Sequence, residues 1–148
     1  MSYLVDVNVW VALALADHPA HPAARDWFLT LSAGEAAFCT FTELAFLRLL
    51  TNPALTSGGV PFTVAEAWAA RAALRRNARV TEVSEPGGLM VELERQTQRL
   101  RHLSGASWTD LYLSAFAART GLRLATLDRA LARRTKGVWI RAAAPNQR

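Results

Sequence analysis

Four carboxylates in this 148-residue chain stand where an apolar strand ends or a helix begins. Asp6 closes Tyr3-Leu4-Val5, Glu43 follows Phe38-Cys39-Thr40-Phe41-Thr42, Asp110 follows Ser107-Trp108-Thr109, and Asp128 follows Leu124-Ala125-Thr126-Leu127. If the strands run parallel, strand ends and helix starts share one rim, and acids far apart in sequence converge there. Crowded carboxylates repel one another unless a divalent cation neutralises them. Mg²⁺ and Mn²⁺, hard ions that prefer oxygen ligands, suit such a group. The chemistry this points to is metal-assisted hydrolysis of a phosphodiester.

Simple lengths support the convergence. Asp110 to about Thr120 reads as a helix roughly 16 Å long, at ~1.5 Å per residue. Gly121 ends it, and Leu122 to Leu127 return as a strand of about 20 Å, at ~3.3 Å per residue. The chain goes out and comes back, so Asp110 and Asp128 fall at the same end. Asp6 ends the first strand, and Glu43 lies just past the strand around 36–39.

The elements that must position these residues read in order as strand 2–6, helices 8–16 and 22–33, strand 36–39 and helix 42–51. A Pro/Gly loop over 53–62 leads to helix 63–77, strand 80–83, helices 86–100 and 109–120, strand 123–127, a short helix 129–134 and strand 138–141. Short apolar strands alternating with helices make βα units. The fold class is therefore α/β, with a central, mainly parallel sheet. Residues 1–141 form a single domain, and 142–148 a frayed C-terminal tail. Asn52-Pro53 stops the third helix, and Ser57-Gly58-Gly59-Val60-Pro61 is loop. Thr63-Val64-Ala65-Glu66 is a capping box, and Glu85-Pro86 puts proline at a helix start.

Each acid also has a structural reading. Thr40-x-x-Glu43 is a capping box and Ser107-x-x-Asp110 a close variant, while Asp6 and Asp128 are placed to cap the helices that follow them. Capping explains each residue singly, but not why all four are acids rather than Ser or Asn. Asp6-Val7-Asn8 also resembles the Asp-x-Asp start of haloacid dehalogenase-type phosphatases, although Asn8 replaces the second acid and their phosphate-binding lysine has no counterpart. GxGxxG, Walker and HExxH patterns are absent. In Asp17-His18-Pro19-Ala20-His21-Pro22 two prolines mark a tight loop whose histidines read as caps rather than metal ligands. Arg71, Arg75, Arg76 and Arg79, and Arg95, Arg99 and Arg101, read as solvated helix faces, with an RNA-contacting strip as the alternative. The run from Leu44 to Leu50 is apolar nearly all round, which buries its helix on more than one side, in the core or in a subunit interface.

Half the residues are hydrophobic, enough for one sizeable core. A single cysteine, Cys39, excludes an internal disulfide. No apolar run approaches the ~20 residues of a membrane span, and no signal stretch precedes the first strand, so the expected location is cytoplasmic. The net charge of +5 favours a polyanionic partner. Sixteen of the seventeen basic residues are Arg, which a GC-rich coding genome also produces. Beside an acidic centre the basic balance gains meaning, because a nuclease needs cations around its pocket to hold phosphates.

Taken together, these motifs resemble the PIN-domain ribonucleases, specifically the VapC-type toxins of bacterial toxin–antitoxin pairs, over essentially the whole chain. Leu4-Val5-Asp6-Val7-Asn8 is similar to that family's hydrophobic-Asp-x-Asn start. Thr42-Glu43-Leu44 with Phe46 to Pro53, Trp108-Thr109-Asp110-Leu111-Tyr112-Leu113, and Ala125-Thr126-Leu127-Asp128-Arg129 resemble its later motifs. The resemblance implies a three-layer α/β/α sandwich and an endoribonuclease dependent on Mg²⁺ or Mn²⁺, acting through a metal-bound water, with Asp6, Glu43, Asp110 and Asp128 as the acidic quartet. It makes Asp6, Asp110 and Asp128 the metal ligands and gives Asn8 an orienting part. It also implies a homodimer and a cognate VapB-like antitoxin. A Ser or Thr often follows the first Asp in the family, and Val7 stands there instead. The supporting hydroxyl is then Thr126 or Thr109. Two alternatives remain: a PIN-like RNA-processing or flap nuclease without an antitoxin, and a non-catalytic RNA-binding PIN fold.

Overall fold

Tyr3-Leu4-Val5 is apolar on both faces, as a strand covered from both sides must be. In the computed structural model, which describes residues 1–54 and 60–142, this segment (β1, Tyr3–Val5) is the middle strand of a sheet. On one side it pairs with β2 (Ala36–Phe38), which pairs with β3 (Val80–Glu82). On the other it pairs with β4 (Arg123–Thr126), which pairs with β5 (Val138–Trp139). All these pairings are parallel, giving the order β3-β2-β1-β4-β5. The chain builds outward from β1 to β3 and then crosses back to β4. The order therefore reverses between β1 and β4, the position where open α/β sheets place their ligands.

Helices cover both faces. One layer holds α1 (Val7–Ala14), α2 (His21–Leu29), α3 (Thr40–Leu50) and α4 (Val64–Arg75). Its core packs Val9, Trp10, Phe28, Phe46 and Leu50 onto Val5, Phe38 and Ala125 of the sheet. Trp10 stacks on Phe38 with centroids 3.7 Å apart and planes 10° from parallel. The other layer holds α5 (Leu89–Thr97) and α6 (Gly105–Thr120), with Leu89, Leu93, Leu113 and Phe116 packed on Leu4 and Leu124. Leu4 and Val5, like Leu124 and Ala125, face opposite cores, as strand alternation requires. The three-layer architecture is as the sequence predicts. α7 (Arg129–Thr135) adds Leu131 to the second core and leads into β5. The link is tight: a Cβ on Gly137 would lie 2.3 Å from the Leu124 carbonyl oxygen.

Helix starts differ from expectation, each for a local reason. α3 begins at Thr40, not 42, because Cys39 is its N-cap and the Thr42 hydroxyl accepts from the Cys39 N–H at 3.1 Å. The capping box is thus Cys39–Thr42, and Glu43 is left out of it. α6 begins a turn earlier than 109, with Ser104 accepting from the Ser107 N–H at 3.3 Å. Asp110 therefore stands in the second turn rather than in a cap. α5 begins at Leu89, not Pro86, since Gly88 has φ 75°, outside the helical region. The Thr63–Glu66 box and the stop at Gly121, with φ 71°, are as predicted. Of the expected Pro/Gly loop, residues 55–59 lie outside the described residues, as do 143–148 of the tail. Among the described residues no helix is long and apolar enough to cross a membrane.

Candidate active site

Asp6 is the first residue after β1 and the N-cap position of α1, yet its side chain caps nothing. It is only 6% exposed, and its Oδ2 accepts from the Thr126 hydroxyl at 2.6 Å. Thr126 ends β4, itself fully buried, and it organises the floor of the site. Its oxygen also accepts from the Asn8 side-chain amide at 3.1 Å and from the Asp128 N–H at 3.0 Å. Asn8 in turn accepts from the Leu127 N–H at 3.2 Å through Oδ1. Asp6, Asn8, Thr126 and Asp128 form one polar web across the switch point of the sheet.

Burial pushes the Asp6 pKa above the ordinary carboxylate range. Hydrogen bonds from Thr126 and the Val7 N–H pull it back in part, and the negative charges of Asp110 and Asp128 push it up further. Three acids from β1, α6 and the β4–α7 corner thus lie within reach of one another's fields. Each of the outer two has a second engagement. Asp128 Oδ1 caps α7, accepting from the Ala130 and Leu131 N–H groups at 2.7 and 3.0 Å. Asp110 Oδ2 accepts from Arg134 at 3.0 Å.

Glu43 lies on α3, beyond β2, and is 7% exposed. Its Oε1 receives Arg71 Nη2 at 2.9 Å and Arg75 Nη1 at 3.1 Å, and Arg75 also reaches Glu82 at 2.5 Å. Arg71 and Arg75 are one turn apart on α4, the i, i+4 spacing that aims two side chains at one target. They are therefore not a solvated face. Arg79 likewise donates to the Leu31 carbonyl at 2.9 Å, and Arg95 pairs with Glu92 on its own helix.

The PIN domain family model matches residues 3–137. The chain belongs to the PIN-domain family. Ribonuclease VapC41 of Mycobacterium tuberculosis is 40% identical to it over 131 residues, 86% of this chain and 89% of that protein. Ribonuclease VapC39 of the same organism is 35% identical over 132 residues, 89% of this chain and 92% of that one. A solved structure of Mycobacterium tuberculosis VapC20, described as a sarcin–ricin loop cleaving toxin, matches with a TM-score of 0.64. That match covers 90% of this chain and 95% of the other at 19% identity, which bears on the fold alone. Within its family the chain is of the VapC type.

The donor chemistry of this PIN domain fits a hard divalent ion: oxygen donors only, one of them a buried carboxylate crowded by two like charges. The arrangement is not yet a coordination sphere. Among the described residues, no three His, Cys, Asp or Glu side chains stand close enough together to ligate one ion. Asp110 holds Arg134 through Oδ2, and Glu43 holds Arg71 and Arg75 through Oε1. Between the two candidate hydroxyls, Thr126 is the one that reaches Asp6; Thr109 lies beside Asp110 on α6. The histidines serve their loop, as expected: His18 Nδ1 accepts from the Ala20 N–H at 3.1 Å, and His21 Nδ1 lies 2.7 Å from the Ala12 carbonyl. Sequence reasoning missed Arg134 and the Arg71–Arg75 pair as partners of the acids. Only the i, i+4 spacing of the latter signalled a shared target.

Proposed function

We propose that this VapC-type PIN domain is a divalent-metal-dependent endoribonuclease, the toxin of a toxin–antitoxin pair. The observation that carries the reading is Asp6: buried at the switch point of the sheet, held by Thr126, and pressed by the charges of Asp110 and Asp128. A carboxylate so placed is costly unless a cation compensates it.

In this reading Asp6, Asp110 and Asp128 hold Mg²⁺ or Mn²⁺. When bound, such an ion activates water and offsets charge developing on the phosphate. Thr126 fixes the Asp6 carboxylate by its hydrogen bond and is itself fixed by Asn8. Asp128 contributes one oxygen while the other stays on the helix cap. Glu43, the fourth acid, fixes the guanidiniums of Arg71 and Arg75, which supply positive charge for RNA phosphates. Arg134, released from Asp110, adds a third. The ribonuclease names of the relatives favour RNA over DNA. By the same kinship the partners are a VapB-like antitoxin and a second copy of the chain.

The test is cleavage of RNA by purified protein with Mg²⁺ or Mn²⁺, with and without EDTA, followed by sequencing of the new RNA ends. Wild type should give ends that Asp6→Asn does not. Cleavage persisting undiminished in chelator would overturn the metal mechanism. Co-expression with its VapB-like antitoxin should relieve growth arrest and yield a complex that co-purifies.

A further inference from the structure

Trp139 ends β5, the edge strand, and is 39% exposed, although the next residue, Ile140, is buried. Its Cα partners that of Thr126 in the β4–β5 ladder, about 4.8 Å away across neighbouring strands. Thr126 is the residue that binds Asp6. The indole Nε1–H donates to the Leu127 carbonyl at 3.2 Å, so the ring is oriented by the chain segment between Thr126 and Asp128. The Arg129 guanidinium lies 5.2 Å from the ring centroid and that of Arg141 5.9 Å. Arg71, Arg75, Arg95 and Arg134 are all paired with carboxylates. Among the described residues, Arg129 and Arg141 are not.

Two hollows flank the ring. One, of about 620 Å³, is walled by Pro22, Trp27, Trp139 and Arg141; the other, of about 380 Å³, by Arg129, Arg133, Lys136 and Trp139. Neither includes any of the four acids. Cation–π contact alone would hold the ring in place, but it does not account for four cations gathered there against a single lining acid, Asp26 of the larger hollow. A partner that brings both anionic charge and flat apolar faces does. Unpaired nucleotides have that chemistry, since single-strand sites combine basic grooves with aromatic rings on which bases stack.

We infer that Trp139, with Arg129 and Arg141, is a stacking platform for an unpaired base of the RNA substrate, one strand away from the acids. The platform rests on the ribonuclease reading above for its ligand, and adds to it where the substrate strand lies. Arg129 and Arg141 pair with the phosphates flanking that base.

Binding is measured on metal-free protein in EDTA by fluorescence anisotropy. The probes are a short unstructured RNA oligomer and the same oligomer made abasic. Trp139→Ala is expected to weaken binding of the intact RNA about 5- to 100-fold, and Trp139→Phe to retain most of it. Abasic RNA should bind wild type and Trp139→Ala alike. Should Trp139→Ala not fold, the Arg129→Gln/Arg141→Gln variant carries the test, with a salt slope shallower by about 1.4 for two lost phosphate contacts. With metal restored, the Trp139 variants should raise KM and leave kcat near wild type. Unchanged affinity in folded Trp139→Ala, or equal weakening for intact and abasic RNA, would overturn the platform. So would loss of antitoxin binding with RNA affinity intact, which would assign the ring to a protein partner. RNA that binds through Trp139 without being cleaved would fault the nuclease reading alone; normal cleavage with unchanged KM in Trp139→Ala would fault the platform alone.

Discussion

The hydroxyl of Thr126 donates to Oδ2 of Asp6 across 2.6 Å, joining the end of β4 to the residue that ends β1. The same oxygen accepts from Asn8 and from the Asp128 N–H, so one buried hydroxyl positions three candidate site residues. Only a β-branched hydroxyl gives this without leaving a gap: serine keeps the bonds and valine keeps the shape. Thr126→Val should cost about 2–4 kcal/mol of stability, since several buried polar groups lose their partner. It should also lower cleavage about 10- to 100-fold, the usual effect of removing a group that orients a ligand. Thr126→Ser should keep most of both. Denaturant midpoints and initial cleavage rates check it; equal rates for the Val and Ser variants would remove Thr126 from the site.

Asp6 predicts a pH dependence for the metal-free protein. Its folded-state pKa is raised by burial, so the folded state binds the proton more tightly than the unfolded chain does. The stability this contributes is fully present below the ordinary carboxylate value of 3.8 and is lost as pH rises through the raised folded value. Above that window ionised Asp6 opposes folding, and Asp6→Asn should melt higher than wild type in EDTA. Melting curves across mildly acidic to neutral pH should show a decline in wild type that Asp6→Asn lacks.

Metal binding should reverse that cost. Mg²⁺ or Mn²⁺ should raise the wild-type melting temperature, with a larger effect at neutral pH than at acidic pH, because the ion must displace the Asp6 proton. If Asp110 is a ligand as proposed, its ion pair with Arg134 opposes the metal, so Arg134→Gln should tighten metal binding while weakening RNA binding. Calorimetric titration of metal into both proteins checks this, and equal affinities would show that Asp110 is not a ligand.

Much of this was legible in the sequence because it depends on local pattern. Apolar runs such as Tyr3-Leu4-Val5 and Leu124-Ala125-Thr126, each ending at a polar residue, mark strand ends, and parallel topology brings those ends together. The partners of the acids were not legible. Arg134 meets Asp110 across 24 positions and Arg71 meets Glu43 across 28, and no local rule pairs them. Helix starts slipped where a non-standard cap competed with a familiar one, as when Cys39 and Thr42 took the role expected of Thr40 and Glu43.

Assembly follows from what α3 leaves uncovered. Phe46 and Leu50 are buried in the core, but Leu44 is 63% exposed, and the adjoining α4 exposes Val64 and Trp68. In the proposed dimer these exposed side chains would be covered by the second copy. The free protein should be a dimer by light scattering at micromolar concentration, and Leu44→Glu should make it monomeric without unfolding it. A wild-type monomer would remove α3 from any interface.

Asp6 and Glu43 should respond to loss of charge with opposite signs. Both are almost fully buried, and each becomes an amide of the same shape in Asp6→Asn and Glu43→Gln. Asp6 faces only hydrogen-bond donors and other acids, so its charge opposes folding until a cation arrives. Glu43 faces two guanidiniums, so its charge is compensated in the protein as it stands. Removing it leaves Arg71 unpaired and crowded against Arg75, which keeps Glu82, at a cost of about 1–3 kcal/mol. Cleavage should collapse in Asp6→Asn because a ligand is lost. In Glu43→Gln it should fall mainly through KM, as the arginines that hold phosphate lose their anchor. Melting temperatures in EDTA and full cleavage kinetics separate the two acids. If Glu43→Gln instead stabilises the metal-free protein and abolishes metal binding, Glu43 is a ligand that exchanges its arginines for the cation, and the division of roles drawn above is wrong.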